Sequence, residues 1–352
     1  MLFRQLYDAQ SSTYTYVLGC EETREAVIID PVYERFDRDT ALLRELSLTV
    51  RYCLDTHVHA DHVTAAWRFQ QGGARIGIAT AAGAEGFDIG LHDGDVLAFG
   101  NHSLRVMETP GHTNGCLTFV TSDRAMAFTG DCLMIRGSGR TDFQAGDAGK
   151  MWHSIRERIF SLPDDCLLYP GHDYQGRTVS SVGEEKRYNP RIGGQAREED
   201  FVGYMENLNL PHPKLLEVAV PANMRCGQPG DDAVEPAESW APVVRTFAGV
   251  LEVEPDWVAR HRADLQVIDV RSEAEFEQGH LTGSRCIPLE TLRERTETLD
   301  SSRPTVVVCQ SGKRSAMATQ ILSSAGFGKV ANLPGGLIHW ALLALPGLDG
   351  AS

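Results

Sequence analysis

The sequence predicts an α/β protein in two parts: a helix-covered sheet sandwich, then a smaller α/β unit built on a mostly parallel sheet. Three observations predict it. At 352 residues the chain exceeds one ordinary domain. Through its first part, strand-like runs alternate with helical ones, and histidines and aspartates gather where the strands end. Beyond a Gly-, Pro- and acid-rich stretch at 227–242, two apolar runs each lead into a helix, the pattern of a parallel sheet with its site at the carboxyl ends of strands. The domains are accordingly placed at 1–228 and 249–352, joined by a linker at 229–248.

Taken in order, Tyr14–Leu18 and Ala26–Asp30 read as strands joined by the polar turn Glu21–Arg24, and Pro31 ends the second. Arg38–Leu46 reads as an amphipathic helix, Arg51–Asp55 as a strand end and Val63–Phe69 as the first turns of a helix. Arg75–Ala79, Asp95–Phe99 and Leu104–Met107 are strand-like, punctuated by Gly and Asp. Leu117–Thr121 and Ala125–Thr129 make a hairpin, and Leu167–Tyr169 is a further strand. In the second part, Gln266–Arg271 and Thr305–Val308 read as buried strands, with Glu273–Gln278 and Ala316–Ala325 as helices.

A formal net charge of −15, with no basic run longer than Lys186-Arg187, argues against a nucleic-acid or anionic-membrane partner. The eight cysteines are scattered and form no C-x-x-C pair, which reads as a reducing, cytoplasmic compartment. Met1–Asp8 has no long apolar core, so no secretory signal is expected, and no apolar run approaches the roughly 20 residues that span a bilayer.

The densest chemistry lies in Thr56-His57-Val58-His59-Ala60-Asp61-His62, three imidazoles and a carboxylate between a strand end and a helix. His57 and His59, two apart, point the same way from extended backbone. Three more strand ends deliver His112, in Thr109-Pro110-Gly111-His112-Thr113, then Asp131 after Gly130, and His172 after Gly171. Imidazole and carboxylate in this combination suit a divalent transition metal. Seven potential ligands permit two metals, and spacing alone favours a dinuclear zinc hydrolase.

These ordered motifs, Thr-His-x-His-x-Asp-His, Gly-His-Thr, Gly-Asp and Gly-His, resemble the metallo-β-lactamase superfamily over about residues 1–228, which implies an αββα sandwich. Ile135–Gln144, Asn207-Leu208-Asn209-Leu210-Pro211 and Val220-Pro221-Ala222-Asn223-Met224-Arg225-Cys226-Gly227 narrow the match. They resemble the persulfide dioxygenases, also called sulfur dioxygenases, more closely than glyoxalase II. That resemblance implies one Fe(II) per chain held by His57, His112 and Asp131, with His59, Asp61, His62 and His172 left to orient ligands or as remnants of a second metal site. Two histidines and a carboxylate leave three open positions for a persulfide sulfur and dioxygen, and Asp61 is the candidate acceptor for ligand ring N–H groups. The implied substrate is glutathione persulfide, an anionic tripeptide that needs cationic and hydrogen-bonding groups. Arg140, Asp173, Tyr174, Arg177 and Arg225 are the candidates to shape its pocket. No nucleotide is expected, and family habit implies a homodimer.

Cys309 sits between a buried strand and a helix in the short loop Cys309-Gln310-Ser311-Gly312-Lys313-Arg314-Ser315. Backbone N–H groups, the helix N-terminus, Lys313 and Arg314 can favour its thiolate, and the loop amides of Gln310, Ser311 and Gly312 can cradle an anionic persulfide, sulfite or thiosulfate. With Asp269-Val270-Arg271, Gly279-His280-Leu281 and Leu333-Pro334-Gly335-Gly336-Leu337-Ile338-His339-Trp340, the loop resembles a single rhodanese domain over about 249–346. Four residues between Cys309 and Arg314, one fewer than in related phosphatases, favour sulfur transfer. The Asp269/Arg271 pair reads as structural.

The reading is a persulfide dioxygenase fused to a rhodanese that transfers sulfane sulfur between thiosulfate and glutathione. Its competitors are a glyoxalase II-like zinc thioester hydrolase fused to rhodanese, and a non-catalytic persulfide carrier or sensor.

Overall fold

The computed structural model describes residues 1–208, 210–211, 213–230 and 239–350. They divide into two compact units, Met1–Asp39 with Leu46–Ala233, and Thr40–Glu45 with Val234–Ser352. Residues 231–238 of the expected linker and Asn209 of the Asn-Leu-Asn-Leu-Pro motif lie outside the described residues.

The first unit contains the sandwich. One sheet runs in chain order through β1 (Leu2–Asp8), β2 (Thr13–Gly19), β3 (Glu25–Ile29), β4 (Thr49–Leu54), β5 (Arg75–Ala79) and β6 (Ile89–Leu91). The other is ordered β12-β11-β10-β9-β8-β7, from β7 (Val96–Phe99), β8 (His102–Glu108), β9 (Leu117–Thr121), β10 (Met126–Gly130), β11 (Leu167–Pro170) and β12 (Ser180–Ser181). Alternation turns one side of each strand inward, so Tyr16, Leu18, Ile29 and Leu54 meet Phe99, Val106, Phe119 and Phe128 in the core between the sheets.

Helices cover both outer faces. α1 (Phe36–Glu45) follows β3, and α2 (Ala66–Gln71) packs on β4 and β5. Beyond the second sheet, α3 (Ala148–His153) continues through Ser154–Ser161 in wider and tighter turns, with α4 (Val182–Tyr188), α5 (Glu198–Glu206) and α6 (Leu216–Asn223) after it. Met151, Trp152 and Ile155 bury with Phe201 and Met205 against Val120, Ala127 and Leu168 of the sheet. The helix expected from Val63 starts only at Ala66, because Thr64 bridges to Val32 in extended pairing.

The second unit's main sheet is ordered β13-β14-β19-β18-β15-β17, from β13 (Val244–Arg245), β14 (Leu251–Glu252), β15 (Gln266–Asp269), β17 (Arg285–Cys286), β18 (Thr305–Val308) and β19 (Val330–Asn332). All pairs except β13·β14 are parallel. A ribbon of β16 (His280–Leu281) and β20 (Leu348–Asp349) stands beside it, with helices α7 (Pro255–His261), α8 (Glu273–Glu277), α9 (Leu289–Arg295), α10 (Lys313–Ser324) and α11 (Gly336–Leu342). Two boundaries differ from expectation. The end of the expected linker is folded: Val244–Arg245 pair in the sheet, and Ala241 is buried with Trp240 and Val243 packed beside it, because apolar side chains there can reach the core. The helix expected from Ala316 begins at Lys313, because Gly312 takes a left-handed φ of +84° and turns the chain directly from the loop.

Candidate metal centre and sulfur loop

The four strand ends are tied to one another by backbone. Leu117 N–H donates to Thr56 O, Gly171 N–H to Gly130 O and Tyr14 N–H to Gly171 O, each at 2.8 Å. Register shifts between Phe128 and Gly130, and Gly130 adopts a φ of +50°. A β-carbon on Gly130 would lie 2.6 Å from Thr56 Oγ1, so only glycine lets the Asp131 turn close on the His57 strand end.

His57, His112 and Asp131 are brought together, all buried, each offering one ligand atom within 4.8 Å of the others. Their ring nitrogens are directed by hydrogen bonds. Thr56 hydroxyl donates to Asp30 Oδ2 at 2.9 Å, so it accepts from His57 Nδ1–H, also at 2.9 Å. His112 Nδ1–H donates to the Arg140 carbonyl at 2.6 Å. Both rings therefore keep the Nε2 lone pair for a metal, and His112 Nε2 lies 3.8 Å from Asp131 Oδ2. Burial, then His59 and His112, push the His57 imidazole well below its ordinary range; burial likewise lowers His112, so both stay neutral. Burial raises the Asp131 carboxyl, but the charge and hydrogen bond of His172 outweigh it and hold it ionised. Two neutral imidazoles and a carboxylate, close and desolvated, fit a divalent metal.

The other histidines are turned elsewhere. His59 Nε2 meets Asp30 Oδ1 at 3.1 Å, and although burial disfavours its charge, Asp30 draws it up to about 9. His172 lies between two carboxylates, Nδ1 on Asp131 Oδ1 at 2.7 Å and Nε2 on Asp61 Oδ2 at 2.9 Å, so neither nitrogen is left for a metal. Asp61 also meets His62 Nδ1 at 3.0 Å and Thr13 hydroxyl at 3.1 Å. Asp61 thus braces His62 and His172, and the acceptors for the ligand rings are Thr56 and the Arg140 carbonyl. His59, Asp61 and His62 form a second close group, in which His59 Nδ1 and His62 Nε2 are buried and have no partner among the described residues. Sequence reasoning missed Asp30. Its signal was an aspartate at a strand end, the same device that presents Asp131.

A pocket of about 360 Å³ opens onto the three ligands. Arg140, Asp173, Tyr174 and Arg177 line it. Arg225 is exposed and does not line it, since it follows α6 at a turn capped by its own backbone. Two of the lining groups are braces. Arg140 pairs with Asp142 and donates to the carbonyls of Leu210 and Pro211, at 2.9 and 2.6 Å, holding that segment over the pocket. Asp173 takes the N–H groups of Gln175 and Arg177 and pairs with the Arg177 guanidinium. Tyr174 is 70% exposed yet lies flat against His172, centroids 6.0 Å apart, which leaves its hydroxyl to a ligand. Arg191, also on the pocket wall and hooked to Ser138 O at 2.8 Å, was missed because it is 53 residues from Ser138 in the Gly-Ser-Gly turn at 137–139 that it serves.

In the second unit Cys309 directly follows β18, fully buried. Burial raises its thiol, but the Ser315 hydroxyl, 3.3 Å away, and the N–H groups of Ser315, Ser311 and Gly312 outweigh it and bring it below the ordinary 9.0. The loop is pinned from behind: Leu337 N–H donates to Cys309 O at 2.9 Å and Ile338 N–H to Gln310 O at 3.1 Å. Arg314 is not free over the sulfur. Its fork closes on Glu275, at 2.8 and 2.6 Å, and Glu275 itself completes the cap of α8 with Ser272. Lys313 is exposed. Arg271 forks onto Asp269 and reaches Gln310 Oε1 at 3.2 Å, so the pair fixes the loop, in line with its structural reading.

The comparisons bear on both units. The metallo-beta-lactamase superfamily model matches residues 9–172 and the rhodanese-like domain model residues 254–343. Human persulfide dioxygenase ETHE1, mitochondrial, is 51% identical over 229 residues, covering 64% of this chain and 89% of that protein. The crystal structure of ETHE1 from Myxococcus xanthus aligns with a TM-score of 0.63 at 48% identity, covering 65% of this chain and 100% of that one. A metallo-beta-lactamase structure from Staphylococcus aureus spans 95% of this chain and 97% of its own at a TM-score of 0.62 and 22% identity, a likeness of fold. Among the described residues no helix is long and apolar enough to cross a membrane.

Proposed function

Because the chain belongs to the metallo-beta-lactamase superfamily, with persulfide dioxygenases as relatives, and carries a rhodanese-like domain, we propose that it is a mononuclear iron dioxygenase acting on glutathione persulfide, fused to a sulfurtransferase. The first unit would take glutathione persulfide, dioxygen and water to glutathione, sulfite and two protons. The second would pass sulfane sulfur between thiosulfate and glutathione on Cys309.

The observation that carries the mononuclear reading is the partition of the histidines: His57 and His112 present Nε2 toward Asp131, while His59 and His172 are engaged by Asp30, Asp61 and Asp131. An iron ion held there would supply redox chemistry and open coordination positions that zinc has no electrons to use. The chain's own residues do the rest. Thr56 and the Arg140 carbonyl fix the ligand rings, Asp30 anchors Thr56, and the Arg140 brace keeps the Leu210–Pro211 segment over the pocket. Tyr174, Arg177 and Arg191 offer the donors an anionic tripeptide requires.

The test is oxygen uptake by protein of measured iron content when glutathione persulfide is added. Uptake with equimolar sulfite supports the reading; none from iron-loaded protein removes it. A two-metal thioester hydrolase is the second reading, favoured by the partnerless His59 and His62 nitrogens. Metal analysis separates them: one iron per chain for the first, two zinc ions with hydrolysis of a glutathione thioester for the second.

Thr56→Val removes the acceptor that holds His57 and is expected to weaken metal binding about 10- to 100-fold, as loss of a partner behind a ligand does. Thr56→Ser should restore it. The rate of metal release to a chelator measures both, and equal rates for Val and wild type would remove Thr56 from this role.

A further inference from the structure

We propose that a second, apolar pocket beside the metal centre is the route by which dioxygen arrives; this rests on the dioxygenase reading. The pocket holds about 320 Å³, and Val58, Ala82, Val220 and Met224 form its walls. Among the described residues that line it none is ionisable, whereas arginines, aspartates and histidines line the substrate pocket. A small apolar cavity takes up xenon-like gases, and dioxygen belongs to that class. A persulfide seated in the polar pocket would block that side, so the gas needs a separate approach.

The ligands His57, His112 and Asp131 line the polar pocket alone, and the apolar pocket comes within one residue of two of them along the chain. His57 and His112 line the polar one; their chain neighbours Val58 and Thr113 line the apolar one. The partition between them is one turn of chain. Phe143 faces the polar pocket, edge-on to the His112 ring with centroids 5.8 Å apart, and Gln144 faces the apolar pocket. Gln144 Nε2 donates to Val58 O at 2.9 Å, and its Oε1 is buried with no partner among the described residues. Gln144 and Ala145 both hold left-handed φ, +50° and +55°, a strained pair in a turn that carries no glycine at either place. A strained partition with an unsatisfied buried amide oxygen is the part of this wall most ready to yield, and its yielding would join the pockets at His112.

Ala81 lines the same pocket and is exposed, so a larger side chain there plugs the rim without entering the core. The experiment pairs xenon binding with steady-state kinetics. In wild-type crystals under xenon pressure, with or without metal, a xenon atom is expected between Val58, Ala82 and Met224, and its occupancy should fall in Ala81→Phe. In solution Ala81→Phe should raise KM for dioxygen about fivefold with KM for persulfide unchanged, the signature of a lost approach rather than a damaged site. Ala82→Leu is the second variant. No xenon in the wild-type pocket, an unchanged KM for dioxygen, or both KM values rising together would overturn the proposal. Iron-loaded wild type that takes up no dioxygen overturns the parent reading instead, and this route with it.

Discussion

An Asp131→Ala protein is expected to lose its bound metal and its oxygen uptake while sulfur transfer through Cys309 continues near the wild-type rate. The carboxylate is the one anionic group of the proposed ligand set. Removing it leaves two neutral imidazoles facing the metal and takes away one of the two carboxylates that hold His172 charged. The loss should exceed the roughly 100-fold that follows from removing a partner behind a ligand. A buried imidazolium short of a partner also costs stability unless it gives up its proton, so Asp131→Asn is the better-folded control: it keeps the shape, lacks the charge and should also bind metal poorly. Iron content and oxygen uptake measured side by side decide the matter. Full iron in either variant would take Asp131 out of the ligand set.

Cys309→Ser should abolish sulfur transfer, by more than about 1000-fold, since losses of that order follow removal of a covalent nucleophile, and should leave persulfide-dependent oxygen uptake intact. Serine places an oxygen in the same loop, but its hydroxyl stays protonated where the cysteine ionises. With Cys309 in the proposed role the thiolate is the reacting form, so the wild-type rate should rise with pH and level off, with a midpoint below the ordinary thiol value of 9.0. Ser315→Ala removes the hydroxyl donor 3.3 Å from the sulfur and should move that midpoint upward. A midpoint unmoved by Ser315→Ala would show that the backbone N–H groups alone set the thiol, and oxygen uptake lost in Cys309→Ser would break the separation of the two chemistries.

What the sequence made legible was local. Each candidate ligand belongs to a motif of a few residues at a strand end, and strand ends survive folding as neighbours because the sheet holds them, so the seven candidates were legible before their distances were known; the choice of His57, His112 and Asp131 among them came from the family resemblance, not from local spacing. The Cys309 loop was legible for the same reason. What the sequence hid were partners far along the chain. Thr56 meets Asp30 across 26 residues, Arg140 meets Leu210 across 70, and Arg314 meets Glu275 across 39. The last two change the meaning of residues that were correctly noticed: both arginines looked like free cations for an anionic ligand, and both are engaged. The helix from Ala148 was missed although Met151, Ile155 and Ile159 recur at helical spacing. Arg225 was carried to the pocket by its motif, but the turn after α6 points it outward.

Gly336 has a φ of +59°, and a β-carbon on it would stand 2.2 Å from Cys309 O; one on Gly312 would stand 2.7 Å from Gly335 N. In a saturation-mutagenesis survey these glycines would therefore score as intolerant as Cys309 itself, though neither offers a side chain to the chemistry. Abundance would separate the two kinds of intolerance. Replacements at Gly312 and Gly336 should deplete the folded protein, whereas Cys309→Ser should accumulate normally and fail only in sulfur transfer. A selection scored on sulfur transfer alone would draw the nucleophile and its backbone supports as one undivided site.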